Sequence, residues 1–251
     1  MYIDTHSHLF SEYYDNIDEI ISKCKDNNIK RIIVSGVDMD SNKEVLELVN
    51  KYDIVYGSIG FHPTELKNFS YNDLKWLEEH INDDKIVALG EIGLDYHYDD
   101  TDKELQNDVL RRQLDIAKNY NKPIIFHSRD SIRDTFDILK EYKLRGVVHC
   151  YSGSVEMARE FTKLGYMIGV GGVVTYKNSR ILKEVVEDID LSYILLETDS
   201  PYLSPEPYRG KKNDSSNIPE IAKVISDLKN TSVLEVTRVT TSNAEALFDF
   251  S

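Results

Sequence analysis

The sequence predicts an α/β fold, a (β/α)8 TIM barrel in a single domain spanning residues 1–251, and three observations predict it. Eight short apolar runs recur along the chain, and stretches with helical spacing separate them. Strands that alternate with helices build parallel βαβ units, and eight such units close into a barrel rather than an open doubly wound sheet. The length, 251 residues, is typical of one such barrel.

The strands follow in order. They are "YIDTH" from Tyr2, "RIIVSGV" from Arg31, "IVYGSIG" from Ile54, "IVALGEIG" from Ile86, "PIIFHS" from Pro123, "GVVHCYS" from Gly146, "YMIGVGG" from Tyr166 and "YILLETDS" from Tyr193. They are nearly continuous apolar runs, as expected of strands covered on both faces. Between them lie helical stretches such as "NIDEIISKCKDNNIK", "DKELQNDVLRRQLDIAKNYN" and "SVEMAREFTKLG". In the second, Leu110, Leu114 and Ala117 share one face with charges opposite. Asn27, Asn28 and Gly165 supply helix stops. One or two closing helices run from about Ser216 to Phe248. No repeat, linker or low-complexity tract interrupts the pattern.

Composition narrows the function. Hydrophobic residues make up 41% and charged residues 29%, a globular rather than a disordered balance. No apolar run reaches the ~20 residues of a membrane helix, and the first residues read as a strand rather than a signal peptide. The two cysteines, Cys24 and Cys150, are far apart and form no CxxC, which points to a reduced, cytoplasmic protein. A net charge of −14 argues against coating long nucleic acid by phosphate neutralisation. It leaves room for an enzyme that takes a short or terminal stretch of a polyanion into a locally cationic pocket.

The reactive side chains follow the strands. Of the seven histidines, His6, His8, His62, His127 and His149 fall at or just beyond strand ends, as do Glu91, Asp95 and Asp199. In a barrel, all the carboxyl ends open on one face, where the active sites of such enzymes lie. Surface histidines have no reason to keep choosing that position. His6 and His8, two residues apart in a strand, face one way and suit one metal ion. Glu91 has two oxygens and can bridge two ions. His127 and His149 would hold the second ion, and Asp199 ends the last strand beside the first. Two ions at ~3.5–4 Å clamp a phosphoryl or carbonyl centre and activate water. Asp199 and Glu91 are the catalytic candidates, Asp199 as ligand and proton acceptor.

These residues lie in "DTHSHL", "GFHP" from Gly60, "LGEIGLDY" from Leu89, "FHSRD" from Phe126, "VHCYSG" from Val148 and "ETDSPYL" from Glu197, followed by "YRGKKN" from Tyr208 and "TSNAEALF" from Thr241. In this order they resemble the TatD-related metal-dependent deoxyribonucleases, a branch of the amidohydrolase-like TIM barrels. The resemblance covers essentially the whole chain. The family's ligands match His6, His8, Glu91, His127, His149 and Asp199 without a gap. It implies divalent-metal-dependent hydrolysis of DNA, often from an end. "DSSNIP", after "YRGKKN", departs from the proline-containing segment expected there, which bears on substrate contacts.

The remaining residues carry competing roles. His62 contacts a substrate phosphate or water, or only stabilises its turn. Arg129 grips phosphate, or pairs with Asp130 or Glu91. Arg209, Lys211 and Lys212 form a basic loop that reads as a grip on the substrate backbone. Asp95 orients a ligating histidine or caps a loop. Cys150, next to His149 in a strand, should point into packing on the other face. Tyr96, Tyr151 and Tyr202 stack on bases or pack. His80 and His97 carry no metal role. The expected cofactors are two divalent ions, with Mg²⁺, Mn²⁺, Zn²⁺, Co²⁺ and Ni²⁺ all compatible with mixed nitrogen and oxygen ligands. The competing functions are a metal-dependent hydrolase of an ester or amide, such as an aminoacyl-nucleic acid, and a non-catalytic scaffold, which six intact ligands argue against. Oligomeric state is not legible in the sequence.

Overall fold

A computed structural model describes residues 1–98 and 100–250. Eight parallel strands follow one another around a single sheet in chain order. They are β1 (Tyr2–Ser7), β2 (Ile29–Ser35), β3 (Val55–Ile59), β4 (Ile86–Asp95), β5 (Ile124–Arg129), β6 (Gly146–Val148), β7 (Met167–Val170) and β8 (Ile194–Leu196). The helices between them are α1 (Ile17–Asp26), α2 (Met39–Lys51), α3 (Asp73–His80), α4 (Lys103–Asn119), α5 (Ile132–Tyr142), α6 (Val155–Lys163) and α7 (Arg180–Asp188). Two more, α8 (Ile218–Leu228) and α9 (Val233–Leu247), close the chain. Leu110, Leu114 and Ala117 of α4 are buried, as their spacing predicts. Among the described residues no helix is long and apolar enough to cross a membrane.

The barrel is drawn shut between β1 and β8 by polar groups. Buried Asp4 accepts hydrogen bonds from the Thr198 amide at 3.0 Å and from its hydroxyl at 2.6 Å. The His8 amide donates to the Ser200 carbonyl at 2.7 Å, and the Asp199 amide to the His6 carbonyl at 3.0 Å. Closure therefore sets Asp199 beside His6 of β1 and His8 just past its end. A second apolar cluster joins Ile3, Ile33, Val87, Ile125, Val147 and Leu195 from six strands to Leu247 and Phe248 at the end of α9. A cluster fed from all around the barrel lies inside it, so the end of α9 plugs the amino-terminal end.

Three strands are shorter than the apolar runs predict. β6, β7 and β8 stop at Val148, Val170 and Leu196. Cys150 and Asp199 have φ of 43° and 53°, in the left-handed region that no strand can include. Cys150 is thus not on the far face of a strand, as expected. It is half-buried and lines the cleft described next. A glycine governs one close approach: a Cβ on Gly93 of β4 would stand 1.9 Å from the His127 carbonyl oxygen of β5. Only glycine lets β4 lie that near β5 at this point.

Candidate metal centre

The carboxyl ends of the strands open into a cleft of about 680 Å³. His8, His62, Glu91, His127, His149 and Asp199 line it, and His6 lies wholly buried beneath. Glu91 stands in the middle. Its Oε2 is 3.4 Å from His6 Nε2 and 3.5 Å from His8 Nε2. Its Oε1 is 2.7 Å from His149 Nε2, 3.0 Å from His127 Nδ1 and 3.3 Å from His62 Nε2. Asp199 Oδ1 is 3.5 Å from both His6 Nε2 and His8 Nε2. The two carboxylate oxygens of Glu91 thus face two separate groups of nitrogens.

Hydrogen bonds behind the rings decide which nitrogens present lone pairs. His8 Nδ1 is 3.0 Å from the Ser35 carbonyl, which only accepts, so Nδ1 donates and Nε2 keeps its lone pair. His6 Nδ1 meets the Ser35 hydroxyl at 3.1 Å. His127 Nε2 donates to Asp95 Oδ2 at 3.0 Å, which turns Nδ1 toward Glu91. Asp95 is the orienting carboxylate, and it also caps its loop by accepting from the His97 amide at 2.9 Å. His62 differs. Its Nδ1 accepts from the Thr64 amide at 3.2 Å, so its Nε2 carries hydrogen and points a donor into the cleft.

Lone pairs that face carboxylate oxygens at 3.4–3.5 Å, and one another at 3.2 Å, repel unless positive charge lies among them. In the first group His6 Nε2 and His8 Nε2 are 3.2 Å apart, and the four distances to Glu91 and Asp199 are 3.4–3.5 Å. Ligands held about 2.1 Å from a tetrahedral cation stand roughly 3.4 Å apart. The donor set therefore fits a divalent ion at the first group. His127 Nδ1, His149 Nε2 and Glu91 Oε1 offer the same chemistry at the second.

Electrostatics reflect the crowding. Burial works to raise the Glu91 pKa, but His149, His62 and His6 hold the carboxyl well below the usual range. Burial opposes the charge on Asp199 too, and His6 and His8 outweigh it and keep it ionised. Burial also works against the His127 cation, yet hydrogen bonds to Asp95 and Glu91 lift it to about 9. His149, pressed by burial and by neighbouring His6, falls to about 4.

The other expected residues scatter. Arg129 lines the cleft with its guanidinium 5.7 Å from the Tyr98 ring. Arg209 lies 4.2 Å from the Tyr176 ring and Lys211 6.0 Å from the Tyr208 ring, and neither lines the cleft. Lys212 donates to the Tyr13 carbonyl. Of the three tyrosines only Tyr202 lines the cleft; Tyr151 is buried with its hydroxyl on the Ser154 carbonyl, and Tyr96 bonds Asn107. In the stretch after "YRGKKN", Ser215 and Ser216 are buried, and Asn213, the last residue of that motif, braces the β8 loop by donating from Nδ2 to the Thr198 and Tyr202 carbonyls. His97 pairs with Asp130, and His80 with Asp83.

Sequence reasoning missed Ser35, whose carbonyl meets His8 and whose hydroxyl meets His6. Its place at the end of β2 was the available signal. It also missed Phe10 and Tyr13, which form one wall of the cleft with Tyr202. Glu197, wholly buried next to His149 and pushed up to about 8 by burial, was quoted within a motif and given no role.

Comparison with known proteins identifies the family. The sequence model of a family described as TatD related DNase matches residues 3–249. YabD of Bacillus subtilis, an uncharacterized metal-dependent hydrolase, is 41% identical over 252 residues, covering 99% of each chain. YcfH of Escherichia coli, described in the same words, is 34% identical over 98% of this chain and 95% of its own. The crystal structure of YjjV, a TatD homologue from Escherichia coli K12, superposes with a TM-score of 0.94 at 32% identity, covering 99% of this chain and 98% of that one.

Proposed function

The chain belongs to the TatD-related DNase family and is a metal-dependent hydrolase, and from that premise we propose that it hydrolyses DNA phosphodiesters from a free end, using two divalent ions. One observation carries the two-ion reading: the oxygens of Glu91 face separate groups of imidazole nitrogens. His6, His8, Asp199 and Glu91 Oε2 would hold one ion; His127, His149 and Glu91 Oε1 the other. When bound, such a pair polarises the phosphoryl group and lowers the pKa of water. Mixed nitrogen and oxygen ligation admits Mg²⁺, Mn²⁺, Zn²⁺, Co²⁺ or Ni²⁺.

The chain's own residues then divide the work. Asp199, kept ionised, accepts a proton from the attacking water. His62 Nε2–H and Arg129 donate to phosphate oxygens. Phe10, Tyr13 and Tyr202 give the cleft an aromatic wall on which a base can stack. A net charge of −14 weighs against binding long nucleic acid by phosphate neutralisation, which favours a terminal stretch of DNA over the middle of a long duplex.

The test is a panel of end-labelled DNA, RNA and aminoacyl-ester substrates, run with each metal and with chelator. Stepwise release of nucleotides from DNA, lost on chelation and restored by metal, is expected. Cleavage of the ester alone would replace the substrate. Full activity in protein shown by elemental analysis to be metal-free would overturn the mechanism.

A further inference from the structure

Three of the four histidines assigned to the ions have their outward ring nitrogen fixed. Ser35 meets Nδ1 of His8 and of His6 at 3.0 and 3.1 Å, and Asp95 meets Nε2 of His127 at 3.0 Å. His149 is the exception. Its Nδ1 is buried and has no hydrogen-bond partner among the described residues. Glu197 Oε2 is buried and unpartnered as well. The carboxyl lies directly behind the ring, with Glu197 Oε1 3.9 Å from His149 Nδ1. That oxygen accepts the Cys150 amide at 2.5 Å, which ties it to the residue after His149. Room for the carboxyl is made in β7, where a Cβ on Gly169 would stand 2.4 Å from Glu197 Oε2.

We propose that Glu197 is the positioning residue for His149: it accepts the Nδ1–H of the ring and so keeps the Nε2 lone pair aimed at the second ion. A neutral imidazole carries one hydrogen, so a ligating Nε2 requires Nδ1–H, and a buried N–H requires an acceptor. Glu197 is the carboxyl placed to be that acceptor. The distances agree in direction. His149 Nε2 is 2.7 Å from Glu91 Oε1, closer than the roughly 3.4 Å that two ligands of one tetrahedral cation keep. Holding an ion between them means drawing the ring back from Glu91. Glu197 stands behind it at 3.9 Å, just beyond the ~3.2 Å limit of a hydrogen bond.

This rests on the two-ion reading, and the experiment separates the two. The full chain is stripped with chelator and titrated with Zn²⁺ by calorimetry, and anomalous diffraction reads occupancy at each position. Wild-type protein that binds fewer than two ions would overturn the two-ion reading itself. With two ions in wild type, Glu197→Leu should weaken the His127–His149 position by about 10–100-fold and leave the His6–His8 position unchanged. Glu197→Gln keeps an oxygen acceptor and should retain most of the affinity. Nitrogen NMR of ¹⁵N-histidine-labelled, zinc-loaded protein should show His149 with hydrogen on Nδ1. A Glu197→Leu protein that melts lower but binds both ions as wild type does would make Glu197 merely structural and overturn the inference. If Glu197→Leu fails to fold, Glu197→Gln and the wild-type spectrum decide. Hydrogen on Nε2 of His149 in the loaded protein would then refute it.

Discussion

The two ends of the barrel treat charge in opposite ways. At the amino-terminal end each buried or half-buried cation has a fixed partner. Arg31 pairs with Glu245 at 2.6 Å and lies 4.7 Å from the Phe250 ring. Lys122 Nζ donates to the Ile86 carbonyl at 2.7 Å, and Lys85 Nζ to the Val49 and Tyr52 carbonyls at 2.9 and 2.7 Å. Between them the apolar end of α9 plugs the barrel. At the carboxyl-terminal end, imidazole nitrogens and carboxylates face one another, and among the described residues no lysine or arginine pairs with Glu91 or Asp199. Such an arrangement costs stability unless positive charge completes it. One end stores folding energy and the other spends part of it on a site, the division of labour expected of barrel enzymes.

The largest effect that tests this contrast is at Glu91. Glu91→Gln should lower occupancy at both ion positions, whereas His149→Ala should empty mainly one. Activity of Glu91→Gln should fall by more than the roughly 10²–10⁴-fold that a single acid–base group contributes. Anomalous diffraction of both variants reads the occupancies, and wild-type occupancy in Glu91→Gln would remove its bridging role.

Asp199→Asn comes next. Asn keeps one oxygen near its place but accepts no proton at neutral pH, so kcat should fall ~10²–10⁴-fold while substrate still binds. High pH should recover part of the loss, because hydroxide needs no base. Single-turnover rates at two pH values across a metal titration make the measurement. Complete rescue by excess metal with no pH effect would leave Asp199 a ligand only.

The opposite end should respond in stability and not in chemistry. Phe248 is 1% exposed inside the barrel cluster. Phe248→Ala should cost about 3–5 kcal/mol of folding stability. The rate per folded molecule, measured well below the melting temperature, should stay near wild type. A large drop in kcat with little change in melting would mean that the ends are coupled, and the contrast drawn above would fail.

How much of this was legible in the sequence follows from what side-chain spacing encodes. Strand and helix alternation located every strand, because burial on both faces writes a continuous apolar run. The six convergent residues were legible because topology alone carries strand ends to one face. Strand ends themselves were not legible. The turns at Cys150 and Asp199 depend on positive φ at residues other than glycine, which tertiary contacts impose and composition does not mark. The orienting groups were half legible: Asp95 was named from its place at a strand end, as orienting a ligating histidine or capping a loop, but which histidine it meets, and the contacts of Ser35 with His6 and His8, lie across strands where no local spacing records them. The basic loop was read as part of the grip because charge is visible in sequence and direction is not.

That loop supplies the smallest expected effect, and the one most able to sharpen the picture. Arg209 and Lys211 rest against Tyr176 and Tyr208 outside the cleft wall. Since neither lines the cleft, the two are placed to meet a substrate that extends beyond it. Arg209→Ala with Lys211→Ala should therefore raise KM a few-fold for long single strands and leave kcat nearly unchanged, the signature of lost uniform binding. The slope of log affinity against log salt should flatten by roughly 0.7 for each contact removed on single-stranded DNA. A dinucleotide, too short to leave the cleft, should show neither change. Arg129→Ala supplies the contrast, since Arg129 lines the cleft itself and its loss should weaken binding of both lengths. If the double variant weakened the dinucleotide as much as the long strand, the loop would have to fold over the cleft when substrate binds. If it weakened neither, the cluster would be a solvated surface loop, and the acidic chain would hold DNA by its cleft alone.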